Sequence, residues 1–252
     1  MSRRARSMLL LLMALSAPAQ ARDWWADTQD YLASPTRWQV EQWQKLGGVV
    51  LLTGLAMQAD DAVREGVLAN QGPSGDTLAA VGNGWGELDS LAGLTLLGIY
   101  GTGLAREDTS LVRLSANGLE AVVLSGLTTA VGKQLFGRVR PAAAVDSKQW
   151  FQGQQSFPSG HTTAAFALST VLAESGTPSL GRRVFFYSLA GLTAFARMYD
   201  NRHWLSDTVM GAAIGIHAGR YVTRRHPLAG SEGSVYLLPQ PNGVMFVRVW
   251  SP

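Results

Sequence analysis

A mainly α-helical fold, a helical bundle, is predicted by three features of the sequence. Apolar segments recur along the chain, they are rich in Leu, Ala and Gly, and their breaks carry Gly, Pro, Asn and Asp. The 252 residues, 46% hydrophobic and 15% charged, are enough to bury a core without staples, and this composition argues against disorder. The chain has no cysteine, which rules out disulfides, thiolate metal sites and cysteine nucleophiles.

Taken in order, the elements begin with a targeting segment. Arg3, Arg4 and Arg6 precede an apolar run over residues 8–15, and Ala19-Gln20-Ala21 offers small residues at the cleavage positions. Residues 1–21 therefore read as a secretory signal peptide cut after Ala21. A membrane anchor is the alternative, but the run is far shorter than the ~20 residues that span a bilayer. Residues 22–45 are Trp-rich, with Trp24, Trp25, Trp38 and Trp43 beside Tyr31, and suit either core packing or a membrane interface. The helical domain, residues 46–226, holds apolar helices expected over 46–57, 88–105, 111–132, 162–173, 184–196 and 205–222, with loops over 70–86 and 142–155. The short apolar cores and the internal charges Asp89, Arg113 and Glu120 favour an exported bundle in contact with a membrane over an integral one. Finally, residues 230–252 place two β-type runs around Asn242-Gly243, which predicts a short C-terminal β-hairpin.

The formal charge of +3 belongs to the first segment. Without residues 1–21 the chain carries 18 basic and 18 acidic residues. That neutral remainder is uneven: residues 22–132 hold 6 basic against 13 acidic, residues 133–202 hold 8 against 3, and residues 203–252 hold 4 against 2. A cationic middle in a neutral protein implies a focused anion site and argues against a nucleic-acid partner.

Three clusters carry chemistry. In the first, Lys133 and Arg140 lie seven residues apart, two helical turns, so a continuous helix would put both on one face until Pro141 ends it. A flexible point charge and a planar fork are complementary ways of holding a phosphate. The second is Pro158-Ser159-Gly160-His161, in front of a small-residue helix. Ser159 is placed to cap that helix, Gly160 lets an anion approach its free N–H groups, and His161 stands beside any bound oxyanion as a proton donor. In the third, His203 and Asp207 are four apart, so a helix beginning near His203 stacks carboxylate and imidazole. Such a pair is either an oriented nucleophile or a metal ligand with its supporting carboxylate. The cations Lys133, Arg140 and Arg197 speak against a metal.

Together the three clusters, Lys133-x6-Arg140-Pro141, Pro158-Ser159-Gly160-His161 and Arg197-x5-His203-x3-Asp207, resemble the three signature motifs of the type 2 phosphatidic acid phosphatase superfamily, which also contains bacterial acid phosphatases and vanadium haloperoxidases. The resemblance covers roughly residues 45–222. One departure is visible: the third motif usually opens Ser-Arg, and here it is Ala196-Arg197.

The resemblance implies a helical bundle with the motifs at one end. It implies that Lys133, Arg140 and Arg197 hold phosphoryl oxygens with Ser159 and Gly160, that His203 attacks phosphorus with Asp207 orienting it, and that His161 protonates the leaving oxygen. No metal or other cofactor is implied. The substrate would be a phosphorylated lipid, such as phosphatidate or an isoprenyl diphosphate, or a small phosphate ester. The expected setting is exported, periplasmic or cell-envelope, with membrane contact. The alternatives are a vanadium-dependent haloperoxidase on the same fold and an acid phosphatase acting on soluble esters.

Overall fold

The computed structural model describes residues 22–177, 179–228, 233–240 and 243–250. The expected signal peptide, residues 1–21, and the turn residues Pro241 and Asn242 lie outside them.

Eight helices are described: α1 (Trp24–Ala33), α2 (Val40–Ala69), α3 (Pro73–Trp85), α4 (Leu91–Ala105), α5 (Thr109–Phe136), α6 (Gly160–Glu174), α7 (Leu180–Tyr199) and α8 (Leu205–Arg225). The fold is mainly helical, as its Leu, Ala and Gly content predicts. Two extended segments, β1 (Gly233–Gln240) and β2 (Gly243–Trp250), pair antiparallel with Gln240 opposite Gly243.

Two helices depart from the expectations. The stretch 70–86, read as a loop, contains α3. Pro73 supplies a preset first-turn residue, but Gly75, Gly82, Asn83 and Gly84 depress helix propensity, so packing on α7 holds the helix. A methyl at Gly82 would lie 2.2 Å from the Leu192 carbonyl oxygen of α7. In addition, α2 runs 30 residues, far beyond the apolar core 46–57.

The centre of the bundle is α6, packed by α5, α7 and α8. Most of its residues are Gly, Ala, Ser or Thr, and Ala165, Ala167, Leu168 and Val171 are fully buried. The facing helix α8 answers with Gly211, Gly215 and Gly219, one per turn on one face. A methyl there would sit 2.7 Å from Ser159 O, 2.4 Å from Thr163 O and 2.6 Å from Thr170 Cβ, respectively. Backbones that approach this closely admit no side chain, and the register of α8 against α6 is fixed as a result.

The end of the bundle near the C-terminus of α8 is held by a charged cluster. Arg22 donates to Glu120 and Asn117, Arg225 and His226 reach Asp27 at 3.1 Å, and Asn117 donates to the His226 carbonyl. Ligand atoms of Asp27, Glu120 and His226 come within 4.8 Å of one another, but the two arginines already balance the two carboxylates.

Length and composition make α2 and the segment 109–143, which contains α5, able to cross a membrane. They differ in environment: the most apolar window of α2 is only 11% buried inside the protein, against 61% for that of the α5 segment. Val50, Leu51, Leu52 and Leu55 of α2 face outward, as do Trp25 and Trp43, whereas Tyr31 is in the core. The Trp-rich segment therefore divides between core and surface. The expectation that the helices are too short to span was drawn from their apolar cores, and the helices themselves extend well past those cores.

Because Gly215 has no room for a methyl, Gly215→Ala should cost about 1–3 kcal/mol through overpacking. Denaturation of the purified protein should show a lowered midpoint, while Gly191→Ala, inside α7 where a methyl would meet nothing within 4 Å, should raise it slightly because Ala is the better helix former.

Candidate functional site

The site is assembled from three loops and one helix start. Helix α5 ends at Phe136 because Gly137 turns left-handed (φ 51°), and a side chain there would also press on the Gly153 amide at 2.9 Å. Lys133 is thus in the last helical turn and Arg140 lies beyond the helix, on a segment leading into Pro141–Ala143. The expected single helical face is not what brings the two cations together. Instead the 138–155 loop folds back, with Val139 N bonded to Gln149 O at 3.0 Å and Gln152 N to Gly137 O at 2.9 Å. Lys133 Nζ donates to the Gln155 carbonyl of the same loop.

Helix α6 begins at Gly160, with Ser159 at the N-cap position. The Ser159 hydroxyl does not cap it as expected, because it pairs with Thr162 Oγ1 at 3.0 Å. The backbone amide of Ser159 is used as well, donating to Asp207 O at 3.0 Å. Among the described residues no acceptor meets the amides of Gly160, His161 and Thr162. A helix start with free N–H groups is an anion site by geometry and dipole. A methyl on Gly160 would touch Thr129 Cγ2 and Lys133 Cε at 3.7 and 3.8 Å, so Lys133 passes beside this helix start.

The third segment turns back after α7. Asn201 adopts a left-handed conformation (φ 55°), and the amides of Arg202 and His203 both donate to the Arg197 carbonyl. Helix α8 starts at Leu205, where the apolar segment 205–222 begins and two residues after the start near His203 that stacking of the pair assumed, so His203 lies outside it and Asp207 in its first turn. The predicted pair still forms, with His203 Nδ1 3.3 Å from Asp207 Oδ2. Both side chains are buried.

Asp207 carries more than His203. Its Oδ2 also accepts from Ser156 Oγ at 2.5 Å and Trp204 N at 3.0 Å, and Oδ1 accepts from Arg138 Nη1 at 2.7 Å. Burial alone would raise this carboxyl, but His203, Arg138 and Ser156 hold it below its ordinary value. Arg138 continues inward: Nη2 reaches Asp60 Oδ2 of α2 at 2.7 Å, and the guanidinium lies over the Trp150 ring at 4.3 Å and the Trp204 ring at 5.2 Å. Asp60 in turn accepts from the Ser206 amide and hydroxyl.

His203 is pushed down to about 4, first by burial, with Lys133 and Arg140 acting in the same direction and Asp207 opposing. Its neutral form therefore prevails near pH 7. Because Nδ1 is engaged by Asp207, the lone pair falls on Nε2. Burial also lowers His161, as do Arg197 and Lys133, while Glu87 pulls it up. Arg197 is held by Asn83 Oδ1 at 2.5 Å through Nη1, yet its buried Nε has no acceptor among the described residues. An unpaired buried guanidinium donor is a standing demand for an oxyanion.

Lys133, Arg140, Ser159, Gly160, His161, Arg197, His203 and Asp207, all expected from sequence, thus meet at one end of the bundle. The buried His203 is flanked by cations, which makes it a directed base and disfavours it as a metal ligand. Sequence reasoning missed Arg138, Asp60, Ser156, Asn83 and Glu87. Two signals were available: Asp60-Asp61 follows closely on the apolar stretch 46–57, and Arg138 is a third cation between Lys133 and Arg140. Of the ambiguous aromatics, Trp150 packs under Arg138 and against Phe157, while Phe151 is exposed.

This constellation has the make-up of an anion site on a helical frame, and its fold and sequence can be compared with those of known proteins. Residues 116–230 match the family described as the PAP2 superfamily. It is 38% identical over 107 residues to the lipid A 1-phosphatase of Porphyromonas gingivalis, covering 42% of this chain and 22% of that protein. It is 26% identical over 148 residues to the lipid A 4'-phosphatase of the same organism, covering 53% and 61%. The chain therefore spans less than two thirds of either relative.

Among solved structures, the fold resembles Aquifex aeolicus LpxE, with a TM-score of 0.51, 21% identity and coverage of 66% of this chain and 94% of that one. It likewise resembles the first transmembrane PAP2 type phosphatidylglycerolphosphate phosphatase from Bacillus subtilis, with a TM-score of 0.51, 19% identity and coverage of 71% and 94%.

Arg138 sits between two buried carboxylates, so removing its charge strands both. Arg138→Met should destabilise the protein by about 3–5 kcal/mol, and Asp60→Asn combined with Arg138→Met should recover part of that loss. Chemical denaturation of the single and double variants measures this directly.

Proposed function

We propose that this chain is a metal-independent phosphoric ester hydrolase that acts on lipid-linked phosphate mono- or diphosphate esters through a phosphohistidine intermediate. The observation that carries the reading is the buried His203, held with Nδ1 3.3 Å from Asp207 Oδ2, in a site whose cations include Arg197 with its unpaired Nε. The two lipid A phosphatases it resembles in sequence support a lipid phosphate as substrate. The outward apolar side chains of α2 support contact with a bilayer. An exported, cell-envelope location follows if residues 1–21 are a signal peptide.

In this mechanism the phosphoryl oxygens lie against Lys133, Arg140 and Arg197 and the free amides at the start of α6, with Ser159 lining the same corner. The negative charge shared by those oxygens meets fixed donors, which is where most of the rate enhancement in phosphoryl transfer arises. His203 Nε2 attacks phosphorus. The N–P bond forms as the ester P–O bond breaks, and the departing oxygen takes a proton from His161. Water then attacks the phosphohistidine, giving a proton to His161, and the N–P electron pair returns to His203 with release of inorganic phosphate. Asp207 keeps His203 Nδ1–H in place throughout.

Hydrolysis of p-nitrophenyl phosphate should persist in EDTA, and His203→Ala should lower kcat by at least about a thousandfold. Dependence on added divalent metal, or an active His203→Ala, would overturn the mechanism.

The depressed His203 sets a pH expectation with a definite sign. Its nucleophilic neutral form is lost only as pH falls toward 4, not through 6.5. An NMR titration of the ligand-free protein should find the His203 ring unprotonated at pH 5.5. A midpoint near 6.5 would contradict this.

A further inference from the structure

The end of α3 and the loop after it reach into the site from a direction that none of the three motifs covers. Trp85 is buried, and its Nε1–H donates to Ser169 Oγ of α6 at 2.9 Å. Gly86 follows in contact with both neighbours, since a methyl there would lie 2.7 Å from Thr193 Cγ2 of α7 and 3.1 Å from His161 Cβ. The next residue, Glu87, then places Oε1 3.1 Å from His161 Nε2. The anchoring of Trp85 and the fit of Gly86 fix where this carboxylate can be.

We infer that Glu87 is a positioning residue for the proton transfer at His161: it accepts from His161 Nε2–H and leaves Nδ1 as the nitrogen that gives and takes the proton. This rests on the phosphatase reading above and adds to it a fourth segment. When the P–O bond breaks, Nδ1–H passes its proton to the leaving oxygen. The neutral ring that remains keeps Nε2–H on Glu87, so its lone pair stays on Nδ1, the nitrogen that next accepts a proton from water. Without Glu87 the neutral ring could carry its proton on either nitrogen and could turn about χ2, and the second half-reaction would lose its directed base.

The charges around His161 make an anionic partner necessary. Arg197 from α7 and Lys133 from α5 both disfavour a protonated ring, and burial acts with them, while Glu87 is the group that opposes them. An acid that must carry a proton at the start of the cycle needs that opposition. The same segment reaches Arg197 too, because Asn83 accepts from Arg197 Nη1 and donates to Asp200 Oδ2 at 2.8 Å. The end of α3 thus sets the direction of one phosphate ligand and of the proton donor.

The test compares leaving groups, using the full chain in detergent. A nitrophenolate leaves without help from an acid, whereas an alkoxide needs it. Glu87→Gln, which keeps the shape, should reduce kcat/KM for an alkyl phosphate about tenfold and that for p-nitrophenyl phosphate by less than about twofold. His161→Ala should show the same selectivity more strongly, and adding Glu87→Gln to it should cost nothing further. Glu87→Asp should restore part of the alkyl rate.

A second readout does not depend on turnover. The chain has only four histidines, so the His161 ring can be followed by NMR, and Glu87→Gln should lower its pKa. Equal losses on both esters, additivity with His161→Ala, or an unmoved His161 titration would overturn the role of Glu87 while leaving the phosphatase reading intact. A wild-type chain inactive on both esters would overturn that reading and this inference with it.

Discussion

The structure turns on one carboxylate. Asp207 is fully buried and accepts hydrogen bonds from Arg138, Ser156, His203 and the Trp204 amide, while its backbone oxygen takes the Ser159 amide. These donors come from the segment after α5, the segment before α6 and the segment before α8, which are the parts that carry the reactive groups. A buried charge is tolerated only when every lone pair finds a donor. Three loops that could each move are therefore fixed relative to one another by the requirement to satisfy a single ion. Arg138 extends the same constraint to α2 through Asp60, so a mostly outward-facing helix is tied to the centre of the site.

Close helix packing supplies the frame in which that ion can work. The Gly211, Gly215 and Gly219 face lets α8 approach α6 until Gly211 meets the Ser159 carbonyl. The start of α6, with its free amides, and the first turn of α8, with Asp207, are thereby brought side by side. A Leu or Val at any of these glycines would spread the two helix starts and separate the anion-binding amides from His203. The positive field of the site has the same origin: cations and amide ends gather at one pole of a chain that carries equal numbers of basic and acidic residues beyond residue 21.

How much of this the sequence disclosed depended on whether the information was local. The helices over 88–136 and 160–225 follow from apolar runs and flanking breakers. The eight site residues follow from the joint spacing of three motifs, since each motif has a fixed local geometry. What stayed hidden depends on contacts across the bundle. Helix α3 has poor propensity and exists because Gly75 and Gly82 let it lie against α7. Asp60 and Arg138 are 78 residues apart, and nothing in either neighbourhood names the other as its partner. For Lys133 and Arg140 the expected helical face does not form: a loop folded back after Gly137 brings them together.

The site contains two histidine–carboxylate pairs, and their difference in burial matches the different tasks that the proposed mechanism gives them. His203 and Asp207 are 3% and 0% exposed at their side chains, whereas His161 and Glu87 are 38% and 28% exposed. A nucleophile must hold its lone pair in one direction and stay unprotonated, and burial secures both, because desolvation disfavours the imidazolium while Asp207 fixes the ring. A proton carrier faces the opposite demand. It must accept charge, release it to an alkoxide and recover it from water, which needs access to solvent and a partner tolerant of both charge states. Exchanging the two environments would disable both steps: a solvated His203 would be protonated in mild acid, and a fully buried His161 could not take a proton from water. The depth at which each pair lies is thus part of the chemistry, and it is set by which helix end carries it, the packed start of α8 for one and the open rim between α3 and α6 for the other.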